Sequence, residues 1–175
     1  MEDQVQALNR QGLKADRIHS GRSRMDSRQA CRLYLDGSLD YLFVAPERLG
    51  VPGFPELLGR RPPTLVAVDE AHCISHWGHD FRPDYRMLRE RLRDFAGDAP
   101  IIALTATATR RVQEDICVQL GIPDATRFIL GFRRKNLGIE IAELPGPERL
   151  AALTRVLTGE RRRPAIVYAP SRRQT

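Results

Sequence analysis

Several features are scarce or absent in this 175-residue chain, and each absence narrows what the protein can be. No apolar run approaches the roughly 20 residues that a helix needs to cross a membrane. The N-terminal stretch MEDQVQALNRQG is polar and has no hydrophobic signal-peptide core. The three cysteines, Cys31, Cys73 and Cys117, lie far apart and are odd in number, which argues against a disulfide framework and favours a reducing cytoplasm.

Lysine is also rare, because Lys14 and Lys135 are the only two and neither follows a glycine. The chain therefore lacks the Gly-Lys step of a phosphate-binding P-loop, in which backbone amides and a lysine surround the phosphates of a nucleotide. Arginine supplies most of the basic charge, which gives a net charge of +6. Such an excess suits a polyanionic partner such as nucleic acid, and a merely solvated surface accounts for it equally well.

What the sequence contains is an alternation of short apolar runs and amphipathic segments. Strands are predicted in LKADRIHS, YLFV, TLVAVDE, PIIALTATA, TRFILG, NLGIEIAEL and AIVY. Helices are predicted in EDQVQALNRQG, from about Ser27 to Leu35, in PELL, PDYRMLRERLRDFAG, ATRRVQEDICVQLG and PERLAALTRVLTGE. This alternation is typical of an open, mostly parallel α/β sheet, and the apolar run LVAV predicts a strand covered on both faces.

Two local signals refine this outline. Asp26 followed three residues later by Gln29 resembles a capping box, which places the start of the second helix at about Ser27. The turn-rich residues 144–147 predict a domain boundary, because the one helix and one strand that follow cannot bury a core of their own.

Two adjacent carboxylates, Asp69 and Glu70, follow the apolar run LVAV. In open α/β sheets, ligands bind at the carboxyl ends of the strands. A strand that ends in two acids matches the Walker B arrangement, in which the first acid holds Mg²⁺, usually through water, and the second positions the attacking water. Two acids can also simply end a strand, so the dipeptide does not decide the function by itself.

The next residues, AHCISHWGHDFRPDY, concentrate histidine and aromatic side chains. One interpretation is a metal site built from Asp69, His72, Cys73, His76 and His79. Trp77-Gly78 and Pro83 argue against a helix that would align these ligands, and their spacing fits no standard zinc motif. A second interpretation is a buried core in which Trp77 and Phe81 merely pack, but the polar residues between them favour a surface loop.

Taken in order, the motifs resemble those of the RecQ-type DNA helicases of superfamily two. DEAH is similar to their motif two, ALTATA (103–108) to motif three, VAPERL (44–49) to motif Ib and IVYAPSRR (166–173) to motif four, and the aromatic segment is the most specific match. The resemblance implies a RecA-like helicase fold that is incomplete at both ends. Residues 1–143 would be part of the first RecA-like domain, 144–147 a linker, and 148–175 the truncated start of the second domain.

The resemblance also implies an activity. The chain would be part of an ATP-dependent 3′–5′ DNA helicase that couples ATP hydrolysis to translocation on single-stranded DNA and to duplex unwinding in DNA repair and recombination. Its cofactors would be ATP and Mg²⁺, and its partners single-stranded and partly duplex DNA, with no membrane. Its location would be cytoplasmic, on the nucleoid in a bacterium.

The family's roles transfer to individual positions. Asp69 would hold Mg²⁺ through water, Glu70 would act as the general base, and His72 would connect the nucleotide site to the motif-three hydroxyls of Thr105 and Thr107. An aromatic-rich loop comprising Trp77, His79, Phe81 and Arg82 would sense single-stranded DNA, with Arg48 as a further contact to the DNA backbone. Aromatic faces stack on unpaired bases of any sequence, and arginine binds phosphate bidentately.

Parts of the family pattern are missing from these residues. The P-loop would lie upstream of Met1, and the second domain, with its arginine finger, would follow the end of the chain. FRRKNL (132–137) replaces the family's FDRPNL. We therefore expect the chain alone to be inactive and the neighbours of a missing strand to be partly unpaired. The alternatives are a stand-alone nucleic-acid-binding module and a helicase remnant without ATPase activity.

Overall fold

The structure, a computed structural model, describes residues 1–78, 80–131, 136–158 and 164–168. The chain divides into two compact units, Met1–Arg127 and Phe128–Thr175. The predicted division into two RecA-like domains with a linker at 144–147 stays a prediction. Within the described residues, no helix is both long and apolar enough to cross a membrane.

The first unit alternates short strands with helices. Its strands are β1 (Ala15–Ile18), β2 (Tyr41–Val44), β3 (Val66–Val68) and β4 (Ile101–Ala103). Its helices are α1 (Glu2–Arg10), α2 (Arg24–Leu35), α3 (Pro46–Leu49), α4 (Phe54–Gly59), α5 (Pro83–Arg86), α6 (Leu88–Phe95) and α7 (Arg110–Leu120), with a 3-10 turn at Ala71–Ile74. In the second unit, the described residues form α8 (Gly146–Leu157).

All four strands pair in parallel, which confirms the predicted α/β class. β1 pairs with β2, placing Ile18 beside Val44, and β3 pairs with β4, placing Val68 beside Ala103. In the described residues the strands form two pairs and not one continuous sheet. Because parallel neighbours end at the same edge, the residues that follow β3 and β4 are brought together.

The core lies between these strands and the apolar faces of the surrounding helices. Its buried members include Ile18 of β1, Leu58 of α4, Val68 of β3, Leu92 of α6 and Ile116 of α7. Removing such side chains from water contributes about 25 cal/mol per Å² of apolar surface. The 3-10 turn after β3 adds Ala71 and Ile74 to the same cluster, so the segment that carries the site is anchored in the core.

The helix predictions hold with three differences. The second helix begins at Arg24, because the hydroxyl of Ser23 accepts a hydrogen bond from the backbone N–H of Asp26 and so caps the first turn. The N-cap is therefore Ser23, three residues upstream of the predicted Asp26. The helix predicted through residues 83–97 is two helices, α5 and α6, that meet at Met87. The short helix α3 was not predicted.

The predicted strands in residues 126–131, 136–144 and 165–168 are wrong for the residues that the structure describes. These residues form no strand, and Phe128 and Ile141 are 86% and 91% exposed. A strand is stable only when its N–H and C=O groups find a neighbouring strand, and none of the described strands pairs with them. The expectation that β3 is covered on both faces is also wrong, since Ala67 and its β4 neighbour Ile102 are exposed.

Candidate nucleotide and DNA site

The two carboxylates lie at the shared carboxyl edge of β3 and β4. Past the strand ends, Leu104 donates its backbone N–H to Val68 at 2.8 Å and Ala71 donates to Leu104 at 2.9 Å. These bonds hold Asp69, Glu70 and the residues after Leu104 at one edge. The structure therefore places both acids where open α/β sheets bind ligands.

The backbone at Glu70 turns sharply into the 3-10 turn. Glu70 has φ of 49°, a left-handed conformation that is uncommon for a residue with a side chain. Asp69 Oδ1 accepts the backbone N–H of Glu70 at 2.8 Å, which steadies this turn. Both carboxylates remain exposed to solvent. Exposed carboxylate oxygens suit Mg²⁺, which prefers hard oxygen ligands and keeps several of its waters, so Asp69 and Glu70 fit this ion.

His72 links the carboxylates to the loop after β4. Its ring is buried, and its Nδ1 lies 3.0 Å from Thr105 Oγ1 and 3.3 Å from Glu70 Oε2. Thr105 Oγ1 also accepts the backbone N–H of Thr107 at 3.2 Å. The structure thus brings together four of the residues that the sequence singled out, in one chain of contacts from Glu70 to Thr107.

On its other side, the 3-10 turn is tied to helix α7. Ser75 is fully buried, and its hydroxyl donates to Asp115 Oδ2 at 2.6 Å. The same hydroxyl accepts the backbone N–H of Trp77 at 3.2 Å, while Asp115 Oδ1 accepts from Gln119 at 3.2 Å. Sequence reasoning missed Ser75 and Asp115, because they lie 40 residues apart and neither belongs to a motif that marks such a bond.

Gly78 allows the chain to turn closely over the 3-10 turn. A Cβ at this position would lie 2.5 Å from the carbonyl oxygen of His72 and 3.1 Å from that of Ser75. The N–H of Gly78 donates to this Ser75 carbonyl at 3.0 Å. In the sequence, Trp77-Gly78 argues against a helix. In the structure, Gly78 is a position with no room for a side chain.

The aromatic side chains lie on the outside of this turn. Trp77 is 60% exposed, with the guanidinium of Arg111 over its ring at 3.3 Å from the centre. Phe81 is half-buried and stacks on His76, with ring centres 4.2 Å apart and planes at 23°. The buried-core interpretation is wrong for Trp77. His79 lies outside the described residues.

Arg82 borders a groove at the carboxyl edge of β1 and β2. Its guanidinium bonds Asp80 Oδ2 at 2.6 Å and holds the pKa of that carboxyl below its usual range, while its backbone N–H donates to the carbonyl of Cys73 at 3.0 Å. The groove is lined by Met1, Glu2, His19, Ala45, Pro46, Glu47, Arg82, Asp84 and Tyr85. Arg48 is not part of this lining and lies half-buried, with its guanidinium 5.9 Å from the ring centre of Phe54.

The metal-site interpretation finds little support in the described residues. Their one cluster of such ligands joins His72 and Cys73 with Asp80, and it includes neither Asp69 nor His76. Burial raises the pKa of the Cys73 thiol, which disfavours the thiolate that metals bind. Asp80 is already paired with Arg82.

Comparison with known proteins gives a family match and several relatives. Residues 1–116 match the family described as DEAD/DEAH box helicase, which confirms the RecA-like class of the fold. The chain is 37% identical over 172 residues to the ATP-dependent DNA helicase RecQ of Haemophilus influenzae, covering 98% of this chain and 27% of that protein. It is 37% identical over 174 residues to the ATP-dependent DNA helicase RecQ of Bacillus subtilis, covering 99% of this chain and 29% of that protein.

A eukaryotic protein is similar as well. The ATP-dependent helicase SGS1 of Saccharomyces cerevisiae is 36% identical over 146 residues, which cover 81% of this chain and 10% of that protein. The chain spans 27% and 29% of the length of the two bacterial relatives.

Proposed function

Because this chain belongs to the DEAD/DEAH box helicase family and is of the RecQ type, we propose that it forms the coupling region of an ATP-dependent DNA helicase. In this region, nucleotide-dependent chemistry at Asp69 and Glu70 is linked to single-stranded DNA on the aromatic-rich loop. The observation that supports this most is the continuity of the contacts. Glu70 and Thr105 both contact His72 in the buried 3-10 turn, and the segment that follows this turn presents Trp77 to solvent.

On the nucleotide side, each carboxylate has a separate task. Asp69 would hold hydrated Mg²⁺, and the hydrogen bond from the Glu70 N–H orients the Asp69 carboxylate for this task. Glu70 Oε2, 3.3 Å from His72 Nδ1, accepts a proton from the attacking water. ATP, when bound, supplies the phosphoanhydride whose hydrolysis drives the cycle. The imidazole of His72 keeps the Glu70 carboxylate in place, and its contact with Thr105 connects this carboxylate to the loop after β4.

On the DNA side, the exposed rings offer faces to unpaired bases. Stacking of one base on an aromatic side chain contributes about 1–3 kcal/mol and does not depend on sequence. Trp77 is the most exposed ring of the loop among the described residues, and Phe81 with His76 forms a second platform. Arg82, at the border of the groove, supplies a guanidinium for the phosphate backbone.

The test of DNA binding compares three variants of the 175-residue chain with the wild type in titrations with a labelled oligothymidylate. We expect Trp77→Ala and Phe81→Ala each to weaken binding by about fivefold to a hundredfold. Phe128→Ala is the matched control, because Phe128 is an exposed ring in the other unit. Equal affinities for wild type and both loop variants would remove the stacking role.

The chain alone should show no useful ATPase activity. Its 175 residues contain no Gly-Lys step, so the phosphates would have no P-loop to hold them in line with the attacking water. Phosphate release stimulated by single-stranded DNA would contradict this expectation. Unwinding from 3′ to 5′, a role in repair or recombination and a cytoplasmic location follow from the same resemblance and are part of the proposal.

A stand-alone single-stranded DNA-binding module is the second candidate. The exposure of Trp77 favours it, because stacking of a base on this ring requires no contact with Asp69 or Glu70. The two candidates differ in one respect: a module binds DNA equally with and without Mg²⁺-ATP, whereas a coupling region changes its DNA affinity when the nucleotide is added. The sequence of the gene immediately 5′ of the Met1 codon is an independent test, because an in-frame P-loop there favours the helicase.

A further inference from the structure

Helix α7 carries an arginine that faces the aromatic-rich loop and belongs to no motif identified above. The guanidinium carbon of Arg111 lies 3.3 Å from the centre of the Trp77 ring, which is the distance of a direct cation–π stack. Arg111 itself is exposed. One face of the indole is therefore occupied by an arginine while the ring as a whole remains 60% exposed.

Neither an ion pair nor the helix dipole gives Arg111 a role in stabilising α7. In the part of the chain that the structure describes, no carboxylate lies within ion-pair distance of Arg111, whereas its neighbour Arg110 pairs with Glu114 at 3.2 Å. Arg111 also lies in the first turn of α7, where the helix dipole disfavours a positive charge. The contact that it does make is the one to Trp77.

Hydrogen bonds between the 3-10 turn and α7 fix the relative position of Arg111 and Trp77. Ser75, two residues before Trp77, donates to Asp115, one helical turn after Arg111. The Trp77 N–H is held by the same Ser75 hydroxyl. The indole and the guanidinium are therefore attached to one rigid support formed by α7 and the 3-10 turn.

We propose that Arg111 and Trp77 form a composite nucleotide-binding site, in which an unpaired base stacks on the free face of the indole and Arg111 binds the adjacent phosphate. This rests on the proposed function and adds α7 to the DNA-binding surface. The stacked guanidinium holds the ring in one orientation before DNA arrives, so less freedom is lost on binding. Among the described residues Arg111 is exposed and makes no hydrogen bond or ion pair, so its N–H groups are available to a phosphate oxygen. Arg111 is thus both a positioning residue for Trp77 and a phosphate ligand.

The chain contains a single tryptophan, so its fluorescence reports on this site alone. We would compare wild type, Arg111→Gln, Arg111→Lys and Arg110→Gln, using tryptophan-selective excitation and oligothymidylate titration. Arg110→Gln is the matched control, because it removes the same charge at the neighbouring position. The Arg110 side chain is 90% exposed. Arg111→Lys keeps the charge but lacks the planar group that stacks.

The expected result has two parts. In the free chain, Arg111→Gln and Arg111→Lys lower the tryptophan anisotropy and increase its quenching by acrylamide, while Arg110→Gln leaves both unchanged. With DNA, Arg111→Gln weakens binding about three- to fivefold more than Arg110→Gln, and Arg111→Lys recovers only part of that loss.

Two results would overturn the inference. One is equal DNA affinity for Arg111→Gln and Arg110→Gln, and the other is full wild-type affinity and anisotropy in Arg111→Lys, which would leave only a charge effect. Failure of the proposed function looks different. In that case the wild type does not bind the oligonucleotide, or Trp77→Ala binds it as well as the wild type does.

Discussion

The two halves of the segment after β3 are held in different ways. The buried half, residues 71–75, is tied to the loop after β4 through His72 and to α7 through Ser75. The exposed half, the described part of residues 76–82, makes ring stacks and an exposed ion pair. The fold therefore fixes the half that directly follows the carboxylates of Asp69 and Glu70, and leaves the other half open to a ligand. Substitutions that disturb the buried half should cost stability, and truncation of the exposed side chains should cost binding.

The largest effect is expected at Gly78, which belongs to the exposed half but packs against the backbone of the buried half. Gly78→Ala places a Cβ 2.5 Å from the His72 carbonyl oxygen, so the turn must shift. We expect the free energy of unfolding in urea to fall by about 3 kcal/mol. Gly50→Ala is the control, because its Cβ would meet the nearest atom at an ordinary 3.4 Å. Similar losses in both variants would mean that the turn is not closely packed.

The next effect concerns the bond from Ser75 to Asp115. Ser75→Ala removes a buried donor from a carboxylate, and we expect a loss of about 2 kcal/mol in the free energy of unfolding. A double-mutant cycle with Asp115→Ala isolates the interaction, because the second substitution should cost little once the first is made. Additive losses would show that the two side chains do not interact.

A smaller effect is expected at Thr105. Thr105→Val removes the hydroxyl that lies 3.0 Å from His72 Nδ1, and should lower the free energy of unfolding by about 1 kcal/mol. Thr107→Val is the matched control, since among the described residues the Thr107 hydroxyl has no hydrogen-bond partner and its side chain is exposed. If both variants have the same free energy of unfolding, the bond between His72 and Thr105 does not contribute to stability.

The smallest effect on stability is expected for the exposed pair of Asp80 and Arg82. The hydrogen bond from Arg82 lowers the pKa of Asp80, so the pair contributes above the usual aspartate pKa of 3.8 and is lost as the pH falls through the lowered value. Arg82→Gln should raise the pKa of Asp80 in a carboxyl NMR titration and hardly change unfolding. Arg86→Gln, on α5, removes the same charge and should leave Asp80 unchanged. No difference between these variants would contradict the pairing.

The same comparison explains which features the sequence could predict. The strand before Asp69 and the acidic edge were predictable, because LVAV finds a parallel neighbour in β4. The apolar residues Phe128 and Ile141 carry a similar local signal, but a strand depends on a neighbour that no local signal reports. The His72–Thr105 contact followed from the family resemblance. The contacts of Ser75 and Arg111 with their partners could not be predicted, because they depend on how α7 packs against the turn.

The central claim is that DNA binding to the exposed half changes the environment of His72 and Thr105, which contact each other at the buried half. The most direct measurement is an NMR titration of the chain with oligothymidylate, following the Trp77 indole, the His72 ring and the Thr105 methyl group in wild type and in Trp77→Ala. We predict that all three signals shift together in the wild type, and that His72 and Thr105 do not shift in Trp77→Ala. Saturating DNA that shifts Trp77 while His72 and Thr105 stay unchanged would contradict the account.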